Sequence, residues 1–115
     1  MADRLGNKIR LQHISDAIDE IFDYTKEMDF GAFVQNSMCY NACLKQLEII
    51  GEAANKVSDD IQDKHPEIMW RQMVGFRNQL IHGYFGVDKS VVWEVIENYL
   101  PSLKIEVEKI LLTIA

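Results

Sequence analysis

Between Gly75 and Phe85 the chain reads GFRNQLIHGYF, which sets Arg77, Asn78, His82 and Tyr84 into an otherwise apolar run. An imidazole ordinarily titrates at about 6.5, so His82 could give or take a proton near neutrality. A guanidinium stays cationic and pairs well with phosphoryl oxygens. One chemistry that suits an arginine and a histidine with no metal ligands beside them is cleavage of RNA by its own ribose hydroxyl. The 2′-hydroxyl must lose a proton, the leaving oxygen must gain one, and the added negative charge on phosphorus needs a fixed cation. His82 would supply the proton transfer and Arg77 the cation. The pair alone is a weak signal, because Arg and His five apart on a helix often occur by chance.

The element that carries them reads as a helix from about Pro66 to His82, ending at Gly83, a natural residue for a left-handed position after a helix. At roughly 100° per residue, Trp70, Met73, Val74, Leu80, Ile81 and the projected Tyr84 share one side, with Arg77 among them. A charge there costs several kcal/mol, of order 3 to 5, unless it is paired. Either a carboxylate meets Arg77, or the stripe lines a cleft or a subunit boundary. A polar ridge of Arg71, Asn78 and His82 runs beside it, with Gly75 leaving a gap in the side-chain wall. Asn78 and His82 are one turn apart, so the amide could orient the imidazole or help to hold a substrate. The helix dipole favours a protonated His82 in the last turn.

Other helices are expected at about Lys8 to Glu27 and Ser37 to Val57. In the first, Leu11, Ile14, Ile18, Ile21, Phe22 and Thr25 recur at steps of three and four, and Asp16, Glu20, Asp23 and Glu27 form a solvated outer stripe. In the second, Gly51, Ala53 and Ala54 allow another helix to approach closely. "MDFGAF" breaks the pattern between them, and "SDDIQDKHP" reads as a cap, a short helical turn and a stop at Pro66. Asp88 is a plausible N-cap for a last segment whose stripe of Val92, Ile96, Leu100, Leu103, Val107, Ile110 and Ile114 is core or a subunit seam, with a kink or restart at Pro101. No strand-like alternation is visible. The expectation is one all-α domain over residues 1–115, an up-and-down bundle of four main helices and one short extra helix.

Composition bounds the rest. At 115 residues the chain can hold one well-formed core. No run approaches the roughly 20 apolar residues of a membrane span, and the opening "MADRLGNKIR" lacks the apolar core of a signal peptide, so no membrane role and a cytoplasmic location are expected. Cys39 and Cys43 do not fit a zinc-site spacing and are expected to be reduced core or boundary residues. His13 and His65 have no partner at metal-ligand spacing and read as surface residues; no metal or cofactor is called for. Trp70 and Trp93 read as core or interface anchors. A net charge of -6 argues against broad affinity for nucleic acid. The charge is uneven, however: Leu11 to Asp63 holds eleven acids against three bases, whereas Lys64 to Lys89 holds four bases against two acids. Lys64, Arg71 and Lys89 are therefore candidates for phosphate contact.

"RNQLIHGY" matches the R-x-x-x-x-H-x-Y signature of HepT-like proteins of the HEPN superfamily. The resemblance extends to "LEIIGEAANKVS" before it and "VDKSVVWEVIENYLPSL" after it, covering roughly Leu11 to Leu103. It implies an all-α HEPN domain acting as a metal-independent endoribonuclease toxin, with a homodimer bringing motif residues of both subunits to a shared cleft. Carried over, Arg77 and His82 would be catalytic, Asn78 supportive and Tyr84 both site-lining and a modification target. HepT-like toxins are typically encoded beside a MntA-like minimal nucleotidyltransferase, an antitoxin that transfers AMP from ATP to the motif tyrosine. The alternative is a non-catalytic HEPN module that binds such a nucleotidyltransferase as substrate or adaptor.

Overall fold

A computed structural model describes residues 4–83 and 87–114. Helix α1 spans Arg4–Tyr24, α2 Phe30–Gln35, α3 Ser37–Lys56, α4 Asp59–Lys64, α5 Trp70–His82, α6 Lys89–Glu94 and α7 Leu100–Thr113, with a π-helical turn, Val95–Tyr99, joining the last two. No strand occurs among the described residues. Helix α1 packs against α3 and α7, and α3 in turn packs against α5, so the main helices lie in the spatial order α7, α1, α3, α5. The fold is an all-α bundle.

The core is the apolar stripe of each long helix turned inward. Leu11, Ile14, Ile18 and Ile21 of α1 are fully buried, as are Leu100, Leu103, Val107 and Ile110 of α7 apart from traces. The last stripe is thus core within one chain. The acidic stripe of α1 is exposed. Cys39 and Cys43 are free and buried. Burial, and then the neighbouring Cys39, push the Cys43 thiol up to about 12, which leaves it inert as a nucleophile.

Several boundaries differ from the sequence expectation for local reasons. Helix α1 ends at Tyr24 because Glu27 turns into the left-handed region, φ 64°. Among the described residues, a further short helix, α2, lies in the expected break at "MDFGAF"; it is capped by Asp29, whose carboxylate accepts from the Ala32 N–H at 2.8 Å. Asn36 then caps α3 through the Cys39 N–H at 2.9 Å. Phe33 of α2 is fully buried, 4.9 Å from Trp93 and 5.6 Å from Tyr40 between ring centroids, which fixes the short helix to the bundle.

Helix α5 begins at Trp70, four residues after Pro66. The intervening turn is held by the Trp70 indole N–H, which donates to the His65 carbonyl at 3.0 Å, and by buried Ile68. Gly83 closes α5 at φ −134°, ψ 34°, so the expected left-handed conformation is not adopted. Asp88 caps α6 as expected, accepting from the Ser90 N–H at 2.8 Å. The π-helical turn answers the expectation at Pro101: proline has no N–H for the preceding turn, and the wider register takes up the defect just before it. No described helix is long and apolar enough to cross a membrane.

Candidate functional site

Arg77 sits in the middle of α5 where that helix meets α3, and Gly51 makes the meeting possible. A Cβ built on Gly51 would lie 2.3 Å from the Arg77 Cβ and 3.0 Å from the Met73 carbonyl oxygen. The small-residue face of α3 is therefore the seat of the arginine. One residue further along, Glu52 supplies the carboxylate: the Arg77 Nη2 donates to Glu52 Oε2. The other terminal nitrogen, Nη1, donates to Asn78 Oδ1 at 2.9 Å. The Nε of Arg77 is buried and has no hydrogen-bond partner among the described residues.

This arrangement resolves the choice that the sequence left open. A carboxylate does meet Arg77, and Arg77 also lines a cleft. A groove of about 480 Å³ runs between α1 and α3, with Arg77 and Ile81 of α5 at one wall. The Arg77 side chain is 26% exposed, enough to reach a ligand and too little to be freely hydrated. A clamped planar cation with donors to spare is suited to hold phosphoryl oxygens.

The remaining predicted residues are distributed around α5. Arg71, Gly75 and Asn78 border a separate hollow of about 360 Å³, with Trp70 and Val74 beside them, as the polar ridge implied. Asn78 commits its carbonyl oxygen to Arg77 and thus positions the cation, an assignment that its spacing to His82 did not suggest. His82 is exposed in the last turn of α5, and among the described residues no hydrogen bond or ion pair holds its ring. Among the described residues, no cavity is lined by both Arg77 and His82. Five helical residues separate them by roughly 7.5 Å along the axis and about 140° around it. Lys89 is turned toward structure: its ammonium donates to the Val34 carbonyl at 3.4 Å and sits 4.9 Å from the Tyr40 ring centroid. Tyr84 lies outside the described residues.

Sequence reasoning missed the groove's other basic side chains. Arg10 and His13 of α1 and Lys45 and Lys56 of α3 face it together with Glu48 and Glu52. Counting charge along the chain assigned the two lysines to an acidic segment. The available signal was helical: Lys45, Glu48, Glu52 and Lys56 follow steps of three, four and four on one face of α3. Among the described residues, no group of three His, Cys, Asp or Glu side chains is disposed to hold a metal ion.

Comparison with known proteins agrees with the motif. Residues 14–110 match the family described as ribonuclease HepT-like. The "Probable ribonuclease HepT" of Thermococcus cleftensis is 41% identical over 105 residues, covering 91% of this chain and 96% of that protein. The "Putative RNase MJ1380" of Methanocaldococcus jannaschii is 39% identical over 101 residues, 88% of this chain and 93% of that one. In the "Gamma-glutamylcyclotransferase and putative RNase MJ0434" of the same organism, the match is 36% identical and covers 90% of this chain but 47% of the relative. No solved structure matches. With most of its length matched and relatives aligned nearly end to end, the chain belongs to the ribonuclease HepT-like family.

Proposed function

We propose that the chain is an endoribonuclease toxin of the HepT/MntA type, a metal-independent nuclease that cleaves RNA through the 2′-hydroxyl. The reading is carried by Arg77, a guanidinium clamped by Glu52 and Asn78 at the edge of a groove with donors left over. Its fixed charge would stabilise the phosphorane-like state without reorganising in the reaction. His82, exposed at the end of the same helix, would transfer the protons. Because the two stand about 140° apart around α5, the reading includes a homodimer in which two copies of α5 face each other and complete the site.

Neutralisation would follow from transfer of AMP onto Tyr84 by a MntA-like nucleotidyltransferase. The tyrosine oxygen attacks the α-phosphorus of ATP, its proton passes to a base, and pyrophosphate leaves. The new phosphodiester would compete with RNA for Arg77.

The test is cleavage of RNA by the purified protein in excess EDTA. Cleavage that leaves a 2′,3′-cyclic phosphate, and that is lost on His82→Ala and on Arg77→Ala with helicity unchanged, is the expected result. Activity that requires magnesium would overturn the mechanism, and monomer alone by light scattering at micromolar concentration would overturn the dimer. AMP found on a residue other than Tyr84 would refute its role. A protein that is AMPylated but never cuts RNA would be an adaptor instead.

A further inference from the structure

We infer that the groove between α1 and α3 is the track along which single-stranded RNA reaches Arg77, gripping its backbone without reading its bases. This rests on the ribonuclease reading and adds the path of the substrate. Lys45 and Lys56 stand at the two ends of the α3 rim, eleven residues and so roughly 16 Å apart on one face. Arg77 lies between them in side-chain contact with Glu52, and Arg10 borders the opposite side. Among the described residues, four cations thus face two carboxylates in a protein whose net charge is -6. The local field is positive against an acidic background, which draws a polyanion to this groove in preference to the rest of the surface.

The two carboxylates are already occupied. Glu48 pairs with Lys45 at 3.5 Å, and Glu52 pairs with Lys56 at 3.4 Å as well as with Arg77. Those lysine pairs are exposed, with the Lys45 and Lys56 side chains 70% and 56% accessible, so a phosphate can displace them readily. Among the described residues the floor between the rims is aliphatic, with Ile9, Ile49 and Ile81, and no Phe, Tyr or Trp lines the groove. Flat stacking platforms are the means by which single-stranded bases are usually held, so affinity here comes from phosphates and depends strongly on salt.

The experiment is fluorescence anisotropy of the full chain with a labelled twelve-nucleotide 2′-O-methyl RNA, which lacks the attacking hydroxyl, over a range of salt. Each phosphate contact on a single strand contributes about 0.7 to the slope of log affinity against log salt. The double variant Lys45→Gln, Lys56→Gln is expected to lower that slope by about 1.4 and to weaken binding about tenfold at low salt. The control, Lys26→Gln with Lys109→Gln, removes the same charge elsewhere and should bind within twofold of the unaltered protein. Equal losses in both variants, or no loss in the first, would overturn the track. So would a change in molar mass on light scattering of the first variant alone, which would assign the groove to contact between copies. Wild-type protein that binds through the two lysines yet does not cut unmodified RNA would sink the nuclease reading and leave the track standing. Cleavage by wild type with unaltered binding by the lysine variant would do the reverse.

Discussion

Arg77 and Lys104 are exposed to nearly the same extent, 26% and 25% of the side chain, and each meets a carboxylate on a neighbouring helix. Their hydrogen bonding separates them. Lys104 joins α7 to α1 and is ringed by acceptors: its ammonium reaches Ser15 Oγ at 3.3 Å and Asp19 at 2.8 Å, and it forms an ion pair with Glu108 of its own helix at 3.6 Å. Arg77 has five donors, gives one to Glu52 and one to Asn78, and keeps a buried Nε without a partner among the described residues. A cation whose capacity is filled is a fastener. One that retains capacity beside a groove is positioned for something outside the chain.

Exchanging the two cation types gives the sharpest test of that difference. Arg77→Lys retains the charge and loses the planar fork, so RNA cleavage should fall about 100-fold, the scale of one lost oxyanion donor. Lys104→Arg retains a cation near Asp19 and should cleave within about twofold of the unaltered protein. Single-turnover cleavage rates on both proteins would break the comparison if the two variants lost activity equally.

The glycines divide in the same way. A Cβ at Gly51 would collide with Arg77 and the Met73 carbonyl, whereas a Cβ at Gly75 would meet nothing within 4 Å. Both lie inside helices, where alanine is favoured over glycine by about 1 kcal/mol. For Gly75→Ala that gain should appear in urea unfolding nearly in full. For Gly51→Ala the overpacking cost of about 1 to 3 kcal/mol exceeds the gain, so the net change should be a loss of about 1 kcal/mol, with cleavage reduced because the arginine's seat has moved. Equal stabilisation by both substitutions would show that the close approach of α3 and α5 is not required.

The long helices and their inward faces were legible in the sequence because periodicity of apolar residues is a local property. So were the small-residue face around Gly51 and the anomaly of Arg77, whose neighbours on the helix wheel are all apolar. What escaped was partnership across elements. Glu52 lies 25 residues before Arg77, and nothing local distinguishes it from Glu48, the other carboxylate of α3. The role of Asn78 depended on which way its neighbour's side chain turned. Helix α2 was hidden because six residues are too few to show a period, and the structure sets its ends at Asp29 and Asn36. Lys45 and Lys56 were concealed by summing charge along the chain rather than along a helix face.

The smallest effect concerns the fastener itself. Lys104→Met keeps the aliphatic stem and deletes only the ammonium, so the loss of stability should be about 1 kcal/mol, as befits a partly exposed pair. Its pH dependence identifies the cause. Burial disfavours the charged amine, but Asp19 and then Glu108 outweigh burial and hold the Lys104 pKa above its ordinary value of 10.5. A group whose folded pKa is raised contributes stability that is complete below the unfolded value and is lost as pH rises through the folded one. The gap in unfolding free energy between the unaltered protein and Lys104→Met should therefore be constant at neutral pH and close above about pH 10.5. Because both proteins carry the same other titrating groups, the difference isolates this ammonium. A gap that persists unchanged into strong alkali would mean that Lys104 fastens α7 to α1 by the packing of its stem, and its likeness to Arg77 as a paired cation would then fail.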